Sequence, residues 1–78
     1  MEWTPIEKGL PPIGTKLIVT IYDKIFFKRK LVYPVYYIEK PLENGYGFCV
    51  GNLDDFLNPE YSEVKAWMLM PKPYDLEF

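Results

Sequence analysis

The chain contains no histidine and a single cysteine, Cys49. General acid–base catalysis draws most often on histidine. Its absence leaves carboxylates, hydroxyls and one thiol to carry any reaction. Asp54 and Asp55 are adjacent, but neighbours on a helix diverge by about 100° rather than converging. They read as the solvated start of a helix. Ser62 and three threonines supply the only aliphatic hydroxyls, none beside an evident base. Cys49 lies between Phe48 and Val50 with no cation adjacent in sequence. It reads as a small buried hydrophobe rather than a reactive thiol. One Cys without His makes no zinc site. Gly45, Gly47 and Gly51 form no phosphate loop, because no Gly-rich turn opens a helix with a following Lys. We expect no catalytic residue, cofactor or metal, and no enzyme.

Binding chemistry is better represented. Lys28-Arg29-Lys30 stands beside Phe26, Phe27, Tyr33, Tyr36 and Tyr37. Cations next to exposed aromatics can hold single-stranded nucleic acid by charge and stacking. The same lysines can equally solubilise an exposed strand and discourage edge pairing. Eleven acidic residues against nine basic ones, with a net charge of −2, weigh against a phosphate-backbone partner. Tyr, Trp and Met are enriched at protein–protein interfaces. The chain holds two Trp, seven Tyr and five Phe, more than a small core can hide. We therefore expect a protein partner ahead of nucleic acid, with a homodimer left open. The candidate anchors are Tyr22, Phe26 and Tyr36, with Lys28 and Lys30 beside them.

These residues must be positioned by a small object. A chain of 78 residues is one domain, 1–78. Domains of this size bury only about 60% of their unfolded surface, so bulky aromatics must supply the core. With 49% hydrophobic residues and little net charge, the composition is that of a folded chain. One cysteine permits no intrachain disulfide, which points to a reducing compartment. Met1-Glu2-Trp3 does not open a signal peptide. The longest mostly apolar stretch, 31–38, is far short of the roughly 20 residues a membrane helix needs. A cytoplasmic, soluble protein is expected.

The pattern of residues predicts mostly strands. Pro5, Gly9, Pro11, Pro12 and Gly14 exclude a long helix at the start. They leave an extended lead-in that drops Trp3, Ile6 and Leu10 onto the core. Over 16–22, Leu17, Val19 and Ile21 alternate with Lys16, Thr20 and Tyr22, interrupted by Ile18. This predicts a strand with its odd face buried. Asp23-Lys24 makes a turn. Over 25–39, Ile25, Phe27, Leu31, Tyr33, Val35 and Tyr37 share one face, with Lys28 and Lys30 on the other. Arg29 interrupts the apolar face and predicts a bulge or strand end near it. Pro34 predicts a sheet edge or bend.

Asn44-Gly45 predicts a tight hairpin. In a two-residue loop Pro41 would oppose Phe48 in a hydrogen-bonded pair, and Pro41 has no N–H. Either the ladder breaks by Pro41 or the loop is wider. Tyr46, Phe48 and Val50 share a face of the next strand. The stretch "GNLDDFLNPEY" is the helix candidate, with Asn52 as cap, Asp54 and Asp55 in the first turn, and Pro59 as the stop. The last strand, 63–69, alternates Val64, Ala66 and Met68 with Lys65, Trp67 and Leu69. Large apolar residues on both sides imply a strand covered on both faces or flanked by the lead-in. The expected fold is mainly β: an antiparallel sheet of about four or five strands with one short helix.

The two ends, "EWTPIEKGLPPIGTKLIVT" and "VKAWMLMPKPY", resemble domain of unknown function 551, a small phage and prophage family. Trp3, Leu10, Pro11, Gly14, Leu17, Val19, Val64, Trp67, Met68, Pro71 and Pro73 carry the resemblance, which covers about 30 residues and leaves the middle unconstrained. Ala66 stands where that family usually has His, and Leu69 where it has Pro. The resemblance implies a phage or mobile-element origin and no assigned activity. Pairing of the two ends leads us to expect Trp3 and Trp67 buried together on one core. The functional expectation is a non-catalytic accessory protein that binds another protein, such as a host defence complex of the CRISPR type or another host enzyme. The second reading is a β-module that binds single-stranded nucleic acid through 28–30.

Overall fold

The computed structural model describes residues 2–51 and 55–71. It is mainly β: one antiparallel sheet of six strands, with a single 3-10 turn at Ile6–Lys8. The strands are β1 (Thr4–Pro5), β2 (Lys16–Asp23), β3 (Lys28–Glu39), β4 (Tyr46–Val50), β5 (Asp55–Phe56) and β6 (Ser62–Leu69). Their order is β1-β6-β2-β3-β4-β5. The chain meanders from β2 to β5, and β6 then returns to the far side of β2. The lead-in adds β1 outside β6 through Thr4–Trp67 and Pro5–Ala66. Among the described residues no helix is long and apolar enough to cross a membrane.

Alternation in β2 does what the sequence predicts. Leu17, Val19 and Ile21 are fully buried, joined by Val35 of β3. Burying each such side chain is worth about 1.5–3 kcal/mol. Val32, Tyr37, Phe48, Val50, Leu57, Val64 and Trp67 pack around them. The lead-in closes over this face: Pro11 is buried, and the Trp67 indole N–H donates to the Gly9 carbonyl at 3.0 Å.

Two bulges alter the expected faces. Between Val19–Val32 and Leu17–Val35, β3 spends three residues against two of β2. The extra residue falls at Tyr33-Pro34, whereas near Arg29 the strand end is what forms, since β3 begins at Lys28. Because side chains alternate with period two, one extra residue reverses every face beyond it. Lys28, Lys30 and Val32 therefore share the core face with Val35 and Tyr37. Leu31 and Tyr33 stand on the opposite face with Arg29, contrary to the alternation read from the sequence. The second bulge lies at Lys65, between the pairs Thr20–Ala66 and Ile21–Val64. It puts Val64 and Trp67 on the same side, where the sequence placed them apart.

Two further expectations are corrected, and one left open is decided. Asp55 and Phe56, read as part of a helix, pair instead with Val50 and Cys49 as β5. The cap at Asn52 and the residue Asp54 lie outside the described residues. Trp3 and Leu10 do not join the core; they are exposed. Thr4 pairs with Trp67, so Trp3, one residue earlier, turns to the opposite face. The two tryptophans do not share a core, and the ends are joined by backbone pairing and the Trp67–Gly9 bond. At Asn44-Gly45 the wider loop is the one formed. The ladder ends at Glu39–Tyr46, with the Lys40 N–H donating to the Gly45 carbonyl, and Pro41 stays outside it.

Candidate functional site

The hairpin joining β2 to β3 carries the most unusual surface. Four residues, Lys24 to Phe27, make the turn. Asp23 builds it: its Oδ1 accepts from the Ile25 N–H at 2.8 Å and the Phe26 N–H at 3.1 Å. Asp is a turn residue because its short carboxylate can close such a loop on its own backbone. Its other oxygen, Oδ2, lies 3.2 Å from Lys30 Nζ. The two amide donors, first Phe26 and then Ile25, together with Lys30, hold the Asp23 carboxyl below its ordinary value of 3.8; burial opposes them. Lys24 N–H donates to the Tyr61 carbonyl and Lys24 Nζ to that of Pro59, which tie the turn to the loop before β6.

This scaffold points apolar side chains into solvent. Ile25, Phe26, Phe27, Leu31 and Tyr33 are each at least 56% exposed, and Phe27 reaches 77%. Phe27 also has φ of 55°, a left-handed conformation that is an outlier for a bulky residue. Lys28 Nζ sits 5.9 Å from the centre of the Phe26 ring. Among the described residues, neither Lys28 nor Arg29 is in an ion pair. Residues 24–30 carry four cations and no acid, while the rest of the chain carries five cations and eleven acids. The tip is thus an apolar knob within a basic collar on an otherwise acidic protein.

The residues singled out from the sequence divide. Phe26, Lys28 and Lys30 lie in this hairpin, but Lys30 is drawn back to Asp23. Tyr22 is half-buried on the second face, across from Arg29 and Glu63. Tyr36 is half-buried too, but it pairs with Lys16 and Cys49 at the other end of the hairpin and is not part of the tip. Ile25, Phe27, Leu31 and Tyr33 were assigned to the core and belong to the site. Two signals mark this: an Asp placed to close a four-residue turn around Ile-Phe-Phe, and Pro34 as a register breaker.

Elsewhere the second face offers less. A shallow groove of about 600 Å³ is lined by Trp3, Ile6, Thr20, Arg29, Glu63 and Lys65 among others. Its charges are largely balanced, since Lys65 pairs with Glu63 at 3.1 Å. Cys49 is fully buried between Tyr36 and Phe56 on the neighbouring strands. Among the described residues, no three of Cys, Asp and Glu gather as a metal site. The chain and fold thus define a small antiparallel β-domain with a projecting basic-aromatic hairpin. No family model, curated protein or solved structure matches it.

Proposed function

We propose that the protein is a non-catalytic binding module and that the β2–β3 hairpin is the surface it offers to a protein partner. The observation that carries this reading is the cluster of five exposed apolar side chains at 25–27, 31 and 33. Folding gives no reason to keep them outside, and exposed apolar clusters rimmed by polar groups mark interaction sites. Aromatic anchors ringed by weaker contacts are the usual source of interface energy. A use as an accessory protein that blocks a host enzyme or defence complex fits such a surface; that use rests on the likeness of the chain ends to the phage family.

The test is capture from a host lysate by the immobilised protein and by a folded Phe26→Ser/Phe27→Asn variant, with mass-spectrometric identification. A protein retained by the parent and lost by the variant is the expected result. Equal retention by both would refute the tip as the binding surface. The second reading, single-stranded nucleic acid, is favoured by Lys28 and Arg29 standing beside Phe26. Three phosphate contacts would give a slope of log K on log salt near −2. Steeply salt-dependent oligonucleotide binding that disappears in Lys28→Glu/Lys30→Glu would replace the protein reading.

A further inference from the structure

Among the described residues β3 has an open edge: from Lys28 to Tyr33 it pairs only with β2, because β4 begins pairing at Val35. The direction of its hydrogen bonds follows from the ladder. The Lys16 carbonyl accepts from Met70 and the Lys24 N–H donates to Tyr61, so even-numbered residues of β2 turn toward β6. Odd-numbered ones turn toward β3, which makes Ile21–Lys30 and Val19–Val32 the bonded pairs. By alternation, the N–H and C=O groups of Arg29, Leu31 and Tyr33 turn outward. Among the described residues nothing pairs with them. Six residues of unpaired strand, roughly 20 Å, is room for another strand.

We infer that this edge accepts an extended segment of another protein in which acidic and apolar residues alternate, added antiparallel or parallel to Lys28–Tyr33. This deepens the protein-binding reading above and rests on it. The pattern is dictated by the two faces of β3. Lys28 and Lys30 stand on one face; Leu31 and Tyr33 stand with Arg29 on the other. Cross-strand neighbours share a face, so a complementary strand places a carboxylate against Lys28, which is in no ion pair among the described residues, and apolar groups against Leu31 and Tyr33, while Lys30 keeps its pair with Asp23. The cations repel a second β3 edge, as charges on exposed edges commonly do, and admit an acidic strand. Charge as a pure deterrent would not explain the exposed Leu31 and Tyr33. Strand addition draws affinity from main-chain bonds and specificity from alternate side chains. Residues 74–78 of this chain, Tyr-Asp-Leu-Glu-Phe, alternate in the same way.

The probe is a fluorescent ten-residue peptide alternating Glu with Val or Leu, titrated against the full chain. Its Lys-for-Glu counterpart and a version N-methylated at alternate residues serve as controls. We expect the acidic peptide to bind at least tenfold more tightly than either control, with amide shifts at Arg29, Leu31 and Tyr33. Leu31→Pro removes an outward N–H without touching the β2 ladder, a placement proline tolerates at edges. It should abolish peptide binding while its melting temperature stays close to that of the parent. If Leu31→Pro fails to fold, Lys28→Glu provides the second variant, with at least a tenfold loss expected. No binding of the acidic peptide at millimolar concentration overturns the inference, as does equal binding by both folded edge variants. Concentration-dependent dimerisation abolished by deleting 74–78 also overturns it, giving the edge to a second copy. Sedimentation with phosphatidylserine vesicles without peptide binding overturns it in favour of a lipid surface. Lysate capture lost in Phe26→Ser/Phe27→Asn but kept in Leu31→Pro leaves the tip as the binding surface and removes only strand addition.

Discussion

Replacing Phe27 by Asn should stabilise the protein and impair its binding. At φ of 55° the Phe27 backbone is left-handed. That conformation costs an ordinary L-residue roughly 1–2 kcal/mol, because Cβ crowds the following carbonyl. Asn tolerates it better, since its short side chain can bond to nearby backbone. Little packing is lost in exchange, because the ring is 77% exposed. The net gain should be about 0.5–1 kcal/mol. For a domain of this size each kcal/mol moves the melting temperature by roughly 4–8 °C, so a rise of about 2–8 °C is expected by circular dichroism, with a matching shift in urea midpoint. Partner capture should fall in the same variant. Gain in stability with loss of function is the signature of a residue kept for contact rather than for folding. A variant that melts below the parent would refute the reasoning, because the ring would then be supporting the hairpin.

Gly47 lies under Phe56, and a Cβ built on it would sit 2.7 Å from Lys40 Cε and 2.9 Å from Phe56 Cδ1. The lysine end can move but the ring is less free, so Gly47→Ala should lose about 1–2 kcal/mol in a urea titration, and should lose nothing in a Phe56→Ala background. An equal loss in both backgrounds would show that Phe56 is not the obstacle. The Asp23 carboxyl titrates below its unfolded value of 3.8. Its stabilisation is therefore fully present above that value and is lost as pH falls through the lower folded one. The stability difference between the parent and Asp23→Asn should be constant from pH 7 to about 5 and shrink below about 4; a difference independent of pH would contradict this. Cys49, fully buried, should react with a thiol reagent only on unfolding, and rapid reaction in the native state would mean that β5 does not stay in place.

What was legible in the sequence was local. The odd face of β2 follows from Leu17, Val19 and Ile21 alternating in one uninterrupted strand, and Tyr46, Phe48 and Val50 likewise declare their face in β4. Pro41 signalled the wide loop because it has no N–H to give. The departures along β3 share one cause: alternation does not continue across points where the backbone leaves it. Extending the β3 pattern back through the Lys24–Phe27 turn put Ile25 and Phe27 in the core, and carrying it across Tyr33-Pro34 did the same to Leu31 and Tyr33. Pro34 marks the bulge in β3, but no proline or glycine marks the one at Lys65, so there the sequence carries no sign of it. The helix candidate failed because caps and acidic first-turn residues describe only local preference, while the pairing of Phe56 with Cys49 is a contact made across the sheet.

The same two features explain why the site lies where it does. With an ordinary register, Leu31 and Tyr33 would follow Val35 into the core, and the hairpin would be one more covered strand pair. The extra residue at Tyr33-Pro34 reverses them, and so divides β3 into an inner half that packs and an outer half in which only Val32 packs against the core. β4 pairs only with the inner half, which leaves the edge of the outer half open. Asp23 then becomes the pivot of the outer half. A single carboxylate closes the turn that displays Phe26 and Phe27 and also draws Lys30 inward, so that, among the described residues, Lys28 and Arg29 are the cations of β3 in no ion pair. Apart from Val32, which packs against the core, and Lys30, which pairs with Asp23, the residues of the outer half can change with little effect on the fold. On the binding role proposed for it, this surface can therefore vary without unfolding the domain, with stability resting on the inner half of β3 and recognition on the exposed residues of the outer half.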